Sequence, residues 1–124
     1  MLFRSEGVPF VGREALEAQR AAGLRRKLVT LTLDDAETPP LHGGETLWRD
    51  GECVGLVRTA AYGHTLRRNI AIGYVDAPDD LAKITNKWLS AGEWAVRDRG
   101  TAHAATLHLK APFDPENKRV RGEY

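Results

Sequence analysis

Turn-forming dipeptides cut most of this chain into runs too short for anything but strands. Pro39-Pro40 and Gly43-Gly44 force a loop over 36–44, and Asp50-Gly51 separates 45–49 from 52–58. Both residues of an Asp-Gly pair tolerate positive φ, so the second break predicts a two-residue hairpin. Asp98-Arg99-Gly100 does the same between 93–98 and 101–110, with Gly100 at positive φ. The runs alternate as strands do. Over 25–35, Val29, Leu31 and Leu33 share one face and Thr30 and Thr32 the other. Over 69–75, Ile70, Ile72 and Tyr74 fall on one side. The segment 83–92 reads as a further strand, and 76–82 as a polar loop turning after Pro78. Only 12–24 reads as a helix, rich in Ala, Leu, Glu, Gln and Arg and ended by Gly23. Its Ala15, Leu16, Ala18 and Ala22 form a face of mostly small residues, suited to lying close against a sheet. Six or seven short strands and one N-terminal helix predict an all-β antiparallel barrel or sandwich.

A chain of 124 residues fits one domain. Its 42% hydrophobic and 28% charged residues suit a soluble globular protein. A net charge of +1 gives no electrostatic reason to expect nucleic acid or a membrane as partner. No apolar run approaches membrane-spanning length, and the start MLFRSEGVPF carries no signal-peptide pattern. A single cysteine, Cys53, excludes an internal disulfide and points to a reducing, cytoplasmic setting. Residues 1–9 read as a segment arriving from an upstream domain, 10–113 as one barrel domain, and 114–124 as a charged tail. The whole reads as a piece of a longer protein.

Catalytic groups are hard to assemble. Cys53 lies within a predicted strand and reads as a small buried apolar residue, with nothing local to lower its pKa. His103 and His108 are five apart on one strand and so face opposite ways, which argues against a shared metal. The carboxylates are scattered through loops, and no glycine-rich phosphate loop leads into a helix. Arg25-Arg26-Lys27 and Arg67-Arg68 read as solvated edges or docking patches, and the three tryptophans as packing. The segment TAAYGHTLRRN, 59–69, stands out. Tyr62 and His64 share a face of an extended chain, and small Ala60, Ala61 and Gly63 permit close backbone approach. It is either a barrel corner or one wall of a ligand cleft.

The ordered pattern of these residues resembles a known family. Phe10-Val11-Gly12-Arg13 opens a helix, and a basic pair precedes Leu28-Val29. Gly43-Gly44-Glu45 with Trp48, Asp50-Gly51-Glu52-Cys53-Val54-Gly55, Tyr62 and Ile72-Gly73-Tyr74-Val75 follow. Over about residues 8–113 this is similar to the C-terminal barrel domain of the glycine-cleavage T-protein (aminomethyltransferase) superfamily. Within it, the tails of the flavin-dependent sarcosine and dimethylglycine dehydrogenases and the pyruvate dehydrogenase phosphatase regulatory subunit are equally close by eye.

The resemblance implies a six- to seven-stranded Greek-key barrel. It also implies that this barrel is the third lobe of a module that binds tetrahydrofolate in a central channel and receives a one-carbon unit from an amine. In the dehydrogenases, an oxidoreductase domain upstream holds FAD. By that likeness the upstream lobes are the partners of this chain, with weak self-association of the lone lobe. Catalytic residues are expected elsewhere, and none here. Phe10, Gly12 and Arg13 match a family motif on the channel side, and Tyr62 matches an aromatic in the segment where His64 replaces a second one. Arg58 completes the folate-channel candidates. Glycine-cleavage enzymes proper carry Thr-Ser-Gly and a proline where this chain has Arg58-Thr59-Ala60 without one, which favours the dehydrogenase branch. The alternative is a stand-alone interaction or regulatory barrel.

Overall fold

The computed structural model describes residues 9–123, so all of the proposed upstream segment except Pro9 lies outside the described residues. The order is α1 (Arg13–Ala22), β1 (Arg26–Leu33), β2 (Thr46–Arg49), β3 (Glu52–Gly63), β4 (Arg68–Asp76), α2 (Asn86–Ala91), β5 (Trp94–Asp98) and β6 (Thr101–His108). The six strands close into an antiparallel barrel in the order β1-β4-β3-β2-β5-β6. Hairpins join β2, β3 and β4, and β1 lies beside β4 through the long connection 34–45, which is the Greek-key arrangement. Both short hairpin turns use paired positive φ: 51° and 85° at Asp50-Gly51, and 46° and 86° at Arg99-Gly100.

Alternation builds most of the core, broken where Thr32 is also buried on β1 and where β3 bulges after Val57. Leu31, Leu33, Leu47, Val57, Val75 and Val96 are almost wholly enclosed. On β4 the inward side is Ala71, Gly73 and Val75, so Ile70, Ile72 and Tyr74 line the outer face. Small inner residues on β4 leave room for the leucines of β1 and β2 at the barrel axis.

Three expectations are corrected. The segment 83–92 is not a strand. Thr85 caps a helix by accepting a hydrogen bond from Trp88 N at 3.1 Å, and α2 sends Leu89 into the core. Helix α1 does not lie on a sheet, because none of its residues is buried. The segment 59–69 is no barrel corner: β3 continues to Gly63 and β4 resumes at Arg68, leaving only 64–67 as a turn.

Candidate functional site

The β3–β4 hairpin holds the most distinctive surface feature. Tyr62 pairs with Asn69 and Gly63 with Arg68, and Arg67 takes φ 54° to close the turn. This brings the Tyr62 and His64 rings to 5.2 Å between centroids at 78°, edge to face, with both side chains exposed. The rings meet although His64 is not on the extended strand: it is the first residue of the turn, after β3 ends at Gly63. Beneath the tip, the Arg68 guanidinium donates to the carbonyls of Leu33 and Asp34. Asn69 is 2% exposed, and its amide holds the 38–39 backbone.

Arg58 is exposed at a bulge, where the β3–β4 register shifts between Val57 and Thr59. The loop 42–45 is laid against that bulge. Gly44 N donates to Val57 O at 2.9 Å, and Gly43 at φ 96° brings its Cα so near the Arg58 carbonyl that a Cβ there would meet it at 3.2 Å. Glu45, which plain sequence reading passed over, is buried and makes this possible. Its carboxylate accepts from His42 N at 2.6 Å and Gly43 N at 2.9 Å, so the acid is satisfied by backbone inside the fold. The only sequence signal was an acid directly after two glycines and before an apolar strand.

Phe10, Gly12 and Arg13 come together elsewhere. With Pro9, Glu14 and Ala15 they line a hollow of about 400 Å³ at the start of α1, where Gly12 (φ 87°) precedes the first helical residue. Arg13 Nε donates to Glu17 at 2.7 Å. Arg58, Tyr62 and His64 are not walls of that hollow. Helix α1 runs into β1 at the end of the barrel where Arg26 faces Asp76, and the Tyr62–His64 tip lies at the other end of β4. The six candidates thus occupy three places on one lobe.

The basic cluster before β1 is spent internally. The Arg25 guanidinium donates to the carbonyls of Leu81 at 2.7 Å and Ala77 at 3.2 Å. Arg26 pairs with Asp76 at 2.5 Å, and its guanidinium holds that carboxyl below the usual range. Cys53 is exposed, not buried, because its position on β3 faces outward; its sulfur lies 3.9 Å from Gly55 O. Among the described residues no group of three or more His, Cys, Asp or Glu is placed to hold a metal. No helix of the described residues is long and apolar enough to cross a membrane.

A flat heterocycle can stack on an exposed ring, and Tyr62 with His64 provides one ring face and one ring edge, open to solvent. Gly43-Gly44 lead into β2 rather than a helix, so they do not form the phosphate turn of a dinucleotide fold.

These features define a small closed Greek-key barrel domain with an exposed N-terminal helix. The family comparison agrees: residues 26–114 match the glycine cleavage T-protein C-terminal barrel domain, and the chain belongs to that family. It is 49% identical over 117 residues to mitochondrial sarcosine dehydrogenase of Mus musculus, covering 94% of this chain and 12% of that protein. The mitochondrial pyruvate dehydrogenase phosphatase regulatory subunit of Mus musculus is 31% identical over 113 residues, 84% of this chain and 13% of that protein. The two likenesses are therefore unequal, and the sequence lies nearer the dehydrogenase. The solved aminomethyltransferase T of the glycine cleavage system from Bartonella henselae shares the fold at a TM-score of 0.61 and 24% identity. It covers 82% of this chain and 26% of that one. The chain spans about an eighth of the curated dehydrogenase it matches.

Proposed function

We propose that this chain is the non-catalytic C-terminal barrel lobe of a folate-dependent one-carbon module, in a sarcosine or dimethylglycine dehydrogenase-like oxidoreductase. The carrying observation is the 49% identity to a sarcosine dehydrogenase, spread over 94% of the chain but only 12% of the relative. In this reading tetrahydrofolate lies in a channel shared with upstream lobes. Phe10, Gly12, Arg13, Arg58, Tyr62 and His64 supply part of its wall. FAD belongs to a domain further upstream.

Exposed apolar surface supports upstream lobes as partners. Leu28, Tyr74 and Leu56 are paired across β1, β4 and β3 and stand 53%, 42% and 43% exposed in one outer row. Such a row is the mark of a docking face, and left uncovered it promotes weak self-association. The cytoplasmic placement rests on the lone thiol, whereas the animal relatives above are mitochondrial by name. Calorimetric titration of the isolated chain with tetrahydrofolate tests the reading. A wall without its opposing lobes loses most of the buried contact area, so binding weaker than micromolar is expected. Micromolar or tighter affinity, with the stoichiometry of one site, would overturn it.

A further inference from the structure

A second hollow, of about 710 Å³, is not on the face discussed above. In the closed strand order, β5 and β6 stand across the barrel from β4 and β3. The hollow is a groove along the outside of β5 and β6. Its floor is Ala95, Ala102 and Ala104, three side chains that leave a trough between taller neighbours. One wall is Trp48, which stands beside Ala95 in register.

That indole is fixed before any ligand arrives. Its Nε1 donates to Thr46 Oγ1 at 2.8 Å, and the Arg97 guanidinium lies 3.9 Å over its ring. The charges along the trough are sorted. Arg97 lies in the row of Ala102, at one end, and has no ion pair among the described residues. At the other end are Glu93, likewise without an ion pair, and Asp34. Only one Asp34 oxygen is engaged by a side chain, Oδ1 accepting from Thr106 at 2.7 Å. The rows of residues 102, 104 and 106 span two strand repeats, about 14 Å, the length of roughly four residues of extended peptide.

We propose that this trough docks an extended segment of a partner polypeptide. A lysine or arginine of the segment sits at the Asp34–Glu93 end, and an aliphatic side chain lies on the alanine floor against Trp48. The free charges decide the occupant: two carboxylates against one guanidinium favour a net cationic segment. The closed barrel presents no strand edge, so recognition is by side chains rather than by strand addition. The proposal does not depend on the folate reading, because the two faces are opposite.

The test is an amide and indole NMR titration of the full chain with the blocked tetrapeptide lysine-leucine-alanine-alanine and its glutamate-for-lysine counterpart. The lysine peptide is expected to shift the Trp48 indole and the amides of Ala95, Ala102 and Ala104 saturably. The glutamate peptide is expected to bind at least about tenfold more weakly. Asp34→Asn with Glu93→Gln keeps the hydrogen-bond acceptors and is expected to abolish the difference between the peptides. No saturable shift with the lysine peptide at millimolar concentration, equal response to both peptides, or shifts centred on Tyr62 and His64 would each overturn the proposal.

Discussion

Asn69 Nδ2 lies 2.8 Å from Thr38 Oγ1 and 3.0 Å from Thr38 O, and it also reaches Pro39 O at 3.1 Å. One buried amide thereby fastens the long β1–β2 connection to β4 directly opposite Tyr62, just beneath the hairpin tip. Removing it leaves the carbonyl and hydroxyl of buried Thr38 without this donor. Asn69→Ala is expected to cost about 2 kcal/mol, read as a lower urea midpoint at unchanged slope. A loss below about 0.5 kcal/mol, the scale of an ordinary surface change, would show that the loop does not need this anchor.

Gly73 faces the barrel interior between β1 and β3. A Cβ there would press on the Leu56 carbonyl and meet Leu47 Cδ1 at 2.9 Å. The requirement is space, not conformation, and the nearest neighbour is backbone that cannot rotate away. Gly73→Ala is expected to destabilise by about 3 kcal/mol. Leu47→Ala opens a cavity of its own, about 2–5 kcal/mol for a buried leucine, so the contact is read from a double-mutant cycle: if the strain lies on the Leu56 carbonyl, Leu47→Ala should cost about the same with Gly73 as with Ala at that position. A clearly smaller cost in the Gly73→Ala background would place the strain on Leu47 instead.

The strands were legible because period-two alternation and turn chemistry act locally. Asp50-Gly51 and Arg99-Gly100 set their own hairpins, and β1 shows its inner face in Val29, Leu31 and Leu33. Helix α2 was not legible, because six residues hold too few turns for a helical period to emerge. Its one local sign was Thr85, whose cap on Trp88 is visible only once the helix exists. The exposure of α1 was invisible for a different reason. An amphipathic pattern says that a face suits burial, and nothing in this lobe covers it. Strand spacing placed Tyr62 and His64 on one face, but the structure brings the rings together through a turn that begins at His64, and the distance of the pair from the Arg13 hollow depended on register, a property of the whole barrel.

His108 and Thr32 are joined on the outer face of β6 and β1, with Nε2 2.8 Å from Oγ1. Burial pushes the imidazole below its ordinary value, and the Asp34 carboxylate pulls weakly the other way. The unfolded chain therefore takes up this proton first as pH falls from about 6.5. The His108 contribution is complete above that pH and is lost as the pH drops through the lowered folded value. His108→Asn, which keeps a polar partner for Thr32, should flatten the decline in urea midpoint between pH 7.5 and 5. If wild type and variant lose stability in parallel, His108 does not carry the effect.

Tyr62 and His64 contact each other outside the core, so the lobe should barely notice their loss. An edge-to-face pair is worth about 0.5–1.5 kcal/mol when well packed, and less at an exposed tip. Tyr62→Ala should accordingly shift the urea midpoint of this chain by under about 1 kcal/mol. On the proposal that this lobe walls a folate channel, the same change in the full-length dehydrogenase-like protein should weaken tetrahydrofolate, because a stacked ring would lose its face while the fold stays intact. Stacking on one aromatic ring is worth about 1–3 kcal/mol, or roughly five- to a hundredfold in affinity. His64→Ala should weaken it less, since an edge offers a heterocycle less contact than a face. Unchanged folate affinity in both variants of the parent would remove the hairpin tip from the channel, leaving the hollow beside Arg13 as the lobe's remaining contribution.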